Sequence, residues 1–404
     1  MEMKKGMPLL IAGILLIGFG LLAVFSVSIY ESFGLSLCNK GSAETIAKCL
    51  ASFPEPTNYY YFQQQISSLL YIAIALFVVW KFPINIIKSH KFATFALVAA
   101  FIIQILVFTP LGRTYGGAAG WLYIPGLPSI QPSEIFKLAY VLFMASWLLR
   151  KKGEMQTPKF LLNFIVICAL LYAVFLFIPD FGTVLILGGT ALIMVRFAGL
   201  SIKKTLAILV LGLFAGVFAG FSMAVINPNL TYIRERFSYF FETDQEAKAA
   251  QKEKTGRQPE QALIAIGGGG FLGKGYGKGL QKFGYIPEAQ SDFVFAAYSE
   301  EIGFVGNMIL LALYCWIFYY FLKHLQSIRD PQSKLIGVGI TSLLMVQTFV
   351  NIGVNIQIIP NTGVTLPFVS AGGSSLLISC IELLLLYKIL RSEDPKKVGL
   401  SSKE

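Results

Sequence analysis

One carboxylate, Asp292, stands where a polar segment meets a long apolar run, within Gln-Ser-Asp-Phe-Val-Phe. At such a low-dielectric boundary, the pKa of a carboxylate can rise toward the range that suits a general base. An Asp just before a helix can also cap the N-terminus of that helix, and the two roles are compatible. The residues therefore make Asp292 the first candidate for general-base chemistry and leave a capping role open.

Glu134, Lys137, Glu300 and Glu301 lie inside apolar runs, where ionisable side chains are functional candidates by default. Glu134 and Lys137 are three residues apart and share one helix face. They can neutralise one another beside a polar cavity or form a buried structural ion pair. Glu300 and Glu301 are adjacent, so on a helix they point about 100° apart. We expect only one of these two carboxylates to face a given cavity, while the other serves packing or a partner.

A glycine-rich segment runs from Ile266 to Gly279. It fits the phosphate-binding pattern G-x-x-x-x-G-K, but Gly275 stands where Ser or Thr should hold magnesium, and no strand precedes it. The segment is therefore not predicted to bind a nucleotide. Its backbone can adopt positive φ angles or approach other groups closely. With nearby lysines it is predicted to cradle an anionic headgroup; the alternative is a flexible loop at the membrane surface.

The composition defines the kind of protein that must position these residues. Hydrophobic residues make up 55% of the 404 residues and charged residues only 14%, with a mean hydropathy of +0.67. A soluble chain carries roughly 25% charged residues, so a soluble Rossmann-type enzyme, a fibrous protein and a disordered chain are excluded. The apolar runs are continuous and long enough to cross a bilayer, which favours helices over a β-barrel.

We predict an all-α polytopic membrane protein with about ten transmembrane helices, forming one membrane domain over residues 1–404. Its parts include a first outside loop at 30–65, a large extracytoplasmic loop at 227–292 before the eighth span, and a tail at 392–404. The first span is expected to remain as an anchor and not to be a cleaved signal peptide. The predicted spans are 7–29, 66–82, 92–110, 133–149, 160–178, 181–198, 204–226, 293–322, 335–356 and 374–391.

The positive charges set the orientation. With the N-terminus inside, twenty Lys and Arg residues fall in cytoplasmic segments, whereas the short outside loops hold only Lys40, Lys48 and Arg113. Both termini are therefore predicted to be cytoplasmic, and the net charge of +11 is a topology signal that does not indicate nucleic-acid binding. Cys38 and Cys49 share the first outside loop, where an oxidising compartment would permit a disulfide; the sequence leaves that pairing open.

The last outside segment, residues 357–375, combines prolines, glycines and hydroxyl residues. Irregular backbone at membrane depth is tolerated only where it is buried in protein or lines a cavity. We therefore predict a re-entrant or cavity-lining segment here.

Several separate blocks resemble the SEDS family, the shape, elongation, division and sporulation proteins typified by rod-shape and cell-division polymerases. The resemblance covers nearly the whole chain. Any one block is weak, but in this order and on ten spans they are highly specific. The blocks are Gln131–Lys137, Asp180–Thr183, Ala265–Gly275, Gln281–Glu288, Ser291–Ala296, Glu300–Gly306 and Thr365–Ser375.

The resemblance implies a peptidoglycan glycosyltransferase that polymerises lipid II into β-1,4-linked glycan at the outer face of the bacterial cytoplasmic membrane. It makes Asp292 the catalytic carboxylate and places Glu134 and Lys137 in the polar cavity beside it. Positive charge at the departing pyrophosphate would come from basic side chains or from a divalent cation (Mg or Mn) shared with the phosphates. The further substrate or cavity residues that we expect are Gln131, Ser133, Arg113, Arg234, Lys274, Lys282, Glu300, Ser370 and Ser374.

The resemblance also implies partners: a class B penicillin-binding protein and other membrane proteins of the divisome or elongasome. Two blocks, Gln281–Glu288 and Gly363–Phe368, look closer to division-type members. The chain departs from the family at Ala371, where Tyr is usual, and in the highly polar segment 242–260. Two alternatives remain open: a lipid II flippase, and a non-catalytic scaffold for the penicillin-binding protein. A transporter would tend to show paired broken spans in two related halves, and we find no clear internal repeat.

Overall fold

The computed structural model describes residues 5–37, 57–115, 118–123, 129–178, 180–212, 216 and 257–392. Within these ranges the chain is mostly helical, with one two-stranded hairpin. The helices are α1 (Met7–Val27), α2 (Ile29–Ser36), α3 (Tyr60–Lys81), α4 (Ile84–Ile87), α5 (His90–Ile105), α6 (Pro132–Arg150), α7 (Pro158–Phe177), α8 (Phe181–Ala198), α9 (Arg257–Gly268), α10 (Val294–His324), α11 (Pro331–Asn355) and α12 (Gly373–Ser392).

Nine of the helices in the described part of the chain are long and apolar enough to cross a membrane. They are α1, α3, α5, α6, α7, α8, α10, α11 and α12, and each corresponds to a predicted span. The predicted span 204–226 is described only in part: residues 202–212 are helical, and most of the remainder lies outside the described residues. The prediction of a polytopic helical membrane protein is confirmed, and α7 and α8 are separate helices, as the turn chemistry before Phe181 indicates.

Three helices form the centre of the bundle. In the most apolar 18-residue stretch of α6, α11 and α12, about three quarters of the residues are buried inside the protein, against 17% in α3. The core around α6 is aromatic, and the ring of Phe136 meets that of Phe175 edge to face at 5.2 Å. The outer helices therefore turn apolar side chains to lipid, whereas polar side chains on the central helices must find partners within the protein.

The helix starts follow from their capping residues. Asp330 precedes Pro331, and its carboxylate accepts the N–H groups of Gln332 and Ser333 at the start of α11. Thr157 precedes Pro158, and its hydroxyl accepts the N–H of Phe160 at the start of α7. These pairs combine a side-chain acceptor with a proline at the first helical position, where no N–H partner is needed.

Parts of the predicted outside loops are ordered. The first of these loops begins with α2, while Cys38 and Cys49 lie outside the described residues. Strands β1 (Gly112–Tyr115) and β2 (Ala118–Leu122) form an antiparallel hairpin before α6. Helix α9 lies within the large loop 227–292, and the glycine-rich turns follow it.

The irregular segment 356–372 follows α11, precedes α12 and contacts the starts of α8 and α10. The start of α6 is bonded to the start of α12 through Gln131 and Ser374. A methyl group built at Gly182 of α8 would lie 2.3 Å from Val364 of this segment. Most of residues 364–370 are buried. The backbone here is irregular and mostly buried, which agrees with irregular backbone held within the protein; the re-entrant or cavity-lining character stays a prediction.

Candidate functional site

A buried ion pair lies on α6. Lys137 Nζ is 2.9 Å from Glu134 Oε1, and the side chains are only 3% and 7% exposed, respectively. Lys137 Nζ also donates to Gln347 Oε1 on α11 at 2.7 Å. The pair that the i, i+3 spacing predicts is therefore present, and an α11 amide supplies the hydrogen bond that a buried ammonium needs beyond its counter-charge.

The polar network continues from Gln347 into the irregular segment. Gln347 Nε2 donates to the carbonyl of Thr365 at 3.1 Å, and the hydroxyls of Thr365 and Ser375 are 2.8 Å apart. Each polar side chain thus has a partner from a different element, which is the condition for a polar network inside a membrane bundle. The network couples α6, α11, the segment 356–372 and α12.

The predicted cavity residues at the start of α6 join the same region. The N–H of Gln131 donates to Ser374 Oγ at 3.2 Å, and Ser374 Oγ donates to the carbonyl of Ser129 at 3.2 Å. Ser133 is buried in the first turn of α6. The structure therefore brings Gln131, Ser133 and Ser374 together with Glu134 and Lys137.

Two further carboxylates lie within electrostatic range of Lys137. Asp180 caps α8 by accepting the N–H and hydroxyl of Thr183 at 2.9 and 2.7 Å. Burial raises the pKa of the Asp180 carboxyl, and the hydrogen bonds from Thr183 and the charge of Lys137 oppose this rise. Glu382, a buried residue of α12, interacts with Lys137 and Glu134. Sequence reasoning missed Glu382, although an ionisable residue inside an apolar span is a signal for it.

Asp292 lies at the start of α10 and is half-buried. Its carbonyl accepts the side-chain amides of Asn351 and Asn355 at 2.9 and 3.0 Å. Its carboxylate faces the irregular segment, since a methyl group built at Gly363 would lie 3.5 Å from Asp292 Oδ2. The N-cap position of α10 is Phe293, and the N–H of Ala296 in the first turn donates to Oδ1 of Asn355. Asn355 of α11 thus supplies an acceptor in the first turn of α10, and the capping role of the Asp292 carboxylate stays a prediction.

Ser370 lies behind Asp292. Its hydroxyl donates to the carbonyl of Ser291 at 2.6 Å and accepts the N–H of Leu366 at 2.8 Å, and the residue is 3% exposed. Both functions of the Ser370 hydroxyl thus hold backbone within the protein, and its contact with substrate stays a prediction.

Helix α10 is broken at Gly303. Gly303 has φ 63° and ψ −166°, which only glycine adopts readily. At the break, backbone groups of α10 bond to the glycine-rich segment instead of to the helix itself. The N–H of Phe304 donates to the carbonyl of Gly270 at 2.9 Å, and the carbonyl of Glu300 accepts the N–H of Lys274 at 3.0 Å. The glycines are needed because the approach is close, and a methyl group on Gly273 would lie 2.1 Å from the carbonyl oxygen of Glu301.

Both neighbouring glutamates of α10 face this glycine-rich segment. Glu300 pairs with Lys274 at 2.6 Å and accepts the N–H groups of Leu280 and Gln281. Glu301 pairs with Lys282 at 2.6 Å. The two carboxylates thus have different partners, because the chain folds over the helix and brings donors to both sides of it.

These contacts change the interpretation of the two lysines. Lys282 and Glu301 are both at 0% side-chain exposure, and Lys282 Nζ also donates to Ser26 Oγ at 2.9 Å. Lys274 is 37% exposed but is paired with Glu300. The expected role of Lys282 as a cation for a substrate phosphate is therefore wrong: its charge is neutralised within the protein. Lys274 retains an exposed surface, but Glu300 balances its charge.

The remaining predicted residues are Arg113, Arg234, Cys38 and Cys49. Arg113 is exposed on β1, and its guanidinium stacks over the ring of Tyr123 at 5.2 Å. Arg234 lies outside the described residues, as do Cys38 and Cys49. Over the ranges that the structure describes, no group of three His, Cys, Asp or Glu side chains could hold a metal ion. A divalent cation at this site would take ligands from substrate phosphates in addition to protein.

The fold and site define a polytopic helical membrane protein in which the half-buried Asp292 lies beside a buried polar network. The FtsW/RodA/SpoVE family model, described as cell cycle proteins, matches residues 7–394. The chain belongs to this family, which confirms the resemblance seen in the sequence.

Curated relatives agree with this assignment. The "Probable peptidoglycan glycosyltransferase FtsW" of Alcanivorax borkumensis is 35% identical over 335 residues, which are 82% of this chain and 83% of that protein. The protein of the same name from Lactococcus lactis is 30% identical and covers 97% of this chain and 93% of its own length. "Stage V sporulation protein E" of Bacillus subtilis is 33% identical, with 73% of this chain and 78% of that protein covered.

Two solved structures share the fold. A chain from "Structural coordination of polymerization and crosslinking by a peptidoglycan synthase complex" superimposes with a TM-score of 0.69 at 23% identity, covering 96% of this chain and 98% of that chain. The rod shape determining protein RodA of Thermus thermophilus superimposes with a TM-score of 0.63 at 22% identity, covering 96% of each chain.

Proposed function

We propose that this chain is a peptidoglycan glycosyltransferase that polymerises lipid II, with Asp292 as general base. The observation that carries the proposal is the placement of Asp292: its carboxylate faces Gly363 in a region where several helix ends converge. The enzyme class follows the names of the FtsW relatives that cover most of the chain.

The chemistry needs one positioned base. The 4-hydroxyl of the acceptor sugar attacks the anomeric carbon of the donor, and Asp292 takes the hydroxyl proton as the new C–O bond forms. The bond between the anomeric carbon and the pyrophosphate oxygen breaks, and polyprenyl pyrophosphate departs with the bonding electron pair. A single displacement on an α-linked donor inverts the anomeric centre and gives the β-1,4 linkage.

The departing pyrophosphate needs positive potential. The segment 356–372 contacts the N-termini of α8 and α10, and the N-terminus of α6 is bonded to that of α12; helix N-termini favour anions. Lys274, which pairs with Glu300 of α10, keeps an exposed surface, whereas Lys282 is neutralised by Glu301. A divalent cation, Mg or Mn, held between the phosphates and the protein is a further source of positive charge.

We place the protein in the bacterial cytoplasmic membrane with both termini inside and the site at the outer face. The distribution of Lys and Arg supports this orientation. We assign a class B penicillin-binding protein as partner and cell division as the process. The FtsW names of the relatives support the process, and the likeness to a chain from a peptidoglycan synthase complex is consistent with such a partner.

The decisive experiment measures glycan polymerisation from purified lipid II by the full chain, co-purified with its cognate transpeptidase. A parallel assay in proteoliposomes measures lipid II translocation. Polymer from the wild type and none from Asp292→Ala supports the proposal. Translocation without polymer would indicate the flippase alternative, and neither activity despite a verified complex would indicate the scaffold alternative.

A further inference from the structure

The main chain that carries Asp292 is held at three successive carbonyls. The carbonyl of Gln290 accepts the N–H of Ala371 at 2.8 Å. The carbonyl of Ser291 accepts the hydroxyl of Ser370, and that of Asp292 accepts two side-chain amides from α11. The hydroxyl and both amides are side-chain donors from elements other than α10. The position of the Asp292 backbone is thus set by tertiary contacts.

The two amides are Asn351 and Asn355, one turn apart on α11 and only 1% and 0% exposed. The two hydrogens of Asn351 Nδ2 go to the carbonyls of Asp292 and Val364, at 2.9 and 2.7 Å. Those of Asn355 Nδ2 go to the carbonyls of Asp292 and Asn351, at 3.0 and 2.9 Å. Because carbonyls surround both nitrogens, a flipped amide would set oxygen against oxygen, so these orientations are determined by the surroundings.

Each asparagine also links Asp292 to a second element. Asn351 ties it to Val364, next to Gly363, which the Asp292 carboxylate faces. Asn355 accepts the N–H of Ala296 at 3.0 Å and so fixes the first turn of α10. One pair of side chains therefore sets the spacing between the start of α10 and the segment opposite the carboxylate.

We propose that Asn351 and Asn355 are positioning residues that hold the Asp292 carboxylate in its reactive place. The expected loss of activity rests on the proposed function, whereas the positioning of the Asp292 backbone does not. Asp292 keeps one amide donor when either asparagine is replaced and loses both when the two are replaced together. Single replacements therefore have small effects and the double replacement a large, non-additive one.

The test uses the full chain with its transpeptidase partner and the variants Asn351→Ala, Asn355→Ala and the double variant. A displacement of about 1 Å lowers a rate by roughly 100-fold, so the double variant should lose on the order of 100-fold in kcat, with the KM for lipid II unchanged. The matched control is Thr348→Val, because Thr348 is buried one turn earlier on α11 and its hydroxyl bonds only to Leu344 O within that helix. It should keep wild-type kcat.

A second readout does not depend on activity. Hydrogen exchange of the peptide that includes Ala296 should be faster in Asn355→Ala and in the double variant than in the wild type or Thr348→Val. Unchanged kcat in the double variant, or losses no larger than in Thr348→Val, would overturn the proposal. If the wild type makes no polymer, the proposed function fails. The exchange measurement then tests the positioning role of Asn351 and Asn355 alone, and unchanged exchange overturns that role. If the double variant does not fold, Asn355→Ala carries the test: faster exchange of the Ala296 peptide than in Thr348→Val supports the proposal, and equal exchange overturns it.

Discussion

Lys282 and Glu301 form an ion pair of 2.6 Å in which both side chains are fully buried, although Lys282 follows the glycine-rich segment and Glu301 belongs to a membrane-spanning helix. Ser26 of α1 bonds to both partners at 2.7 to 2.9 Å. The N–H of Gly277 adds a further donor to Glu301. The remaining hydrogen-bonding capacity of the pair is thus largely used, which is the condition under which a buried pair is stable.

Breaking this pair should destabilise the fold. Lys282→Met leaves Glu301 charged and buried without its counter-ion, so we expect a loss of about 3–5 kcal/mol in the free energy of unfolding. The double variant Lys282→Met, Glu301→Leu should recover much of that loss, because no charge stays buried. Thermal unfolding in detergent measures both. Wild-type stability of Lys282→Met would show instead that Lys282 is available to a substrate.

The break in α10 depends on Gly303. Its φ of 63° is strained for any other residue, and an added methyl group would lie 2.1 Å from the backbone nitrogen of Gly273. Gly303→Ala should therefore introduce strain of roughly 1–3 kcal/mol and displace the glycine-rich segment.

Limited proteolysis and the melting temperature test this expectation. Gly188→Ala on α8 is the matched control, because a methyl group there would have nothing within 4 Å. Equal melting temperatures and equal cleavage of the two variants would contradict the structural role of the break.

On the opposite side of the bundle, Lys88 pairs with Asp330 at 2.8 Å. Burial raises the pKa of the Asp330 carboxyl, but hydrogen bonds from Lys88 and Ser333 outweigh burial, so the pKa lies below its usual value. A carboxyl with a depressed pKa adds stability above its unfolded-state pKa, and that contribution disappears as the pH falls through the folded-state pKa.

The wild type should therefore melt above Lys88→Met at neutral pH, and the gap should close as the pH falls below about 4. Melting temperatures of both proteins from pH 7 to pH 3 measure this. A gap that is independent of pH would show that the stabilisation is not due to the charge of Asp330.

The sequence alone predicts those features that depend on local patterns. Nine predicted spans correspond to helices, because apolar length is read directly from the chain. The i, i+3 spacing likewise predicts the pair of Glu134 and Lys137. The break at Gly303 was not predicted, since a glycine within an apolar run gives no sign that a distant segment will bond to the helix there.

The tertiary environment of Asp292 also could not be predicted from the sequence. Asn351 and Asn355 lie about 60 residues from Asp292, and a polar pair on a buried helix does not reveal which carbonyl it binds. The same limit applies to Lys282, where proximity to glycines suggested an anion site and a buried carboxylate proved to be the partner.

The most direct test of the proposed chemistry is lipid II polymerisation by Asp292→Asn, which keeps the size of the side chain and removes its ability to accept a proton at neutral pH. Glu154→Gln is the matched control, since Glu154 is a partly exposed carboxylate that pairs with Lys151 away from the site. With Asp292 as base, the Asp292→Asn variant gives no polymer while the folded complex and the control activity are preserved. Polymer at the wild-type rate from Asp292→Asn would contradict that role.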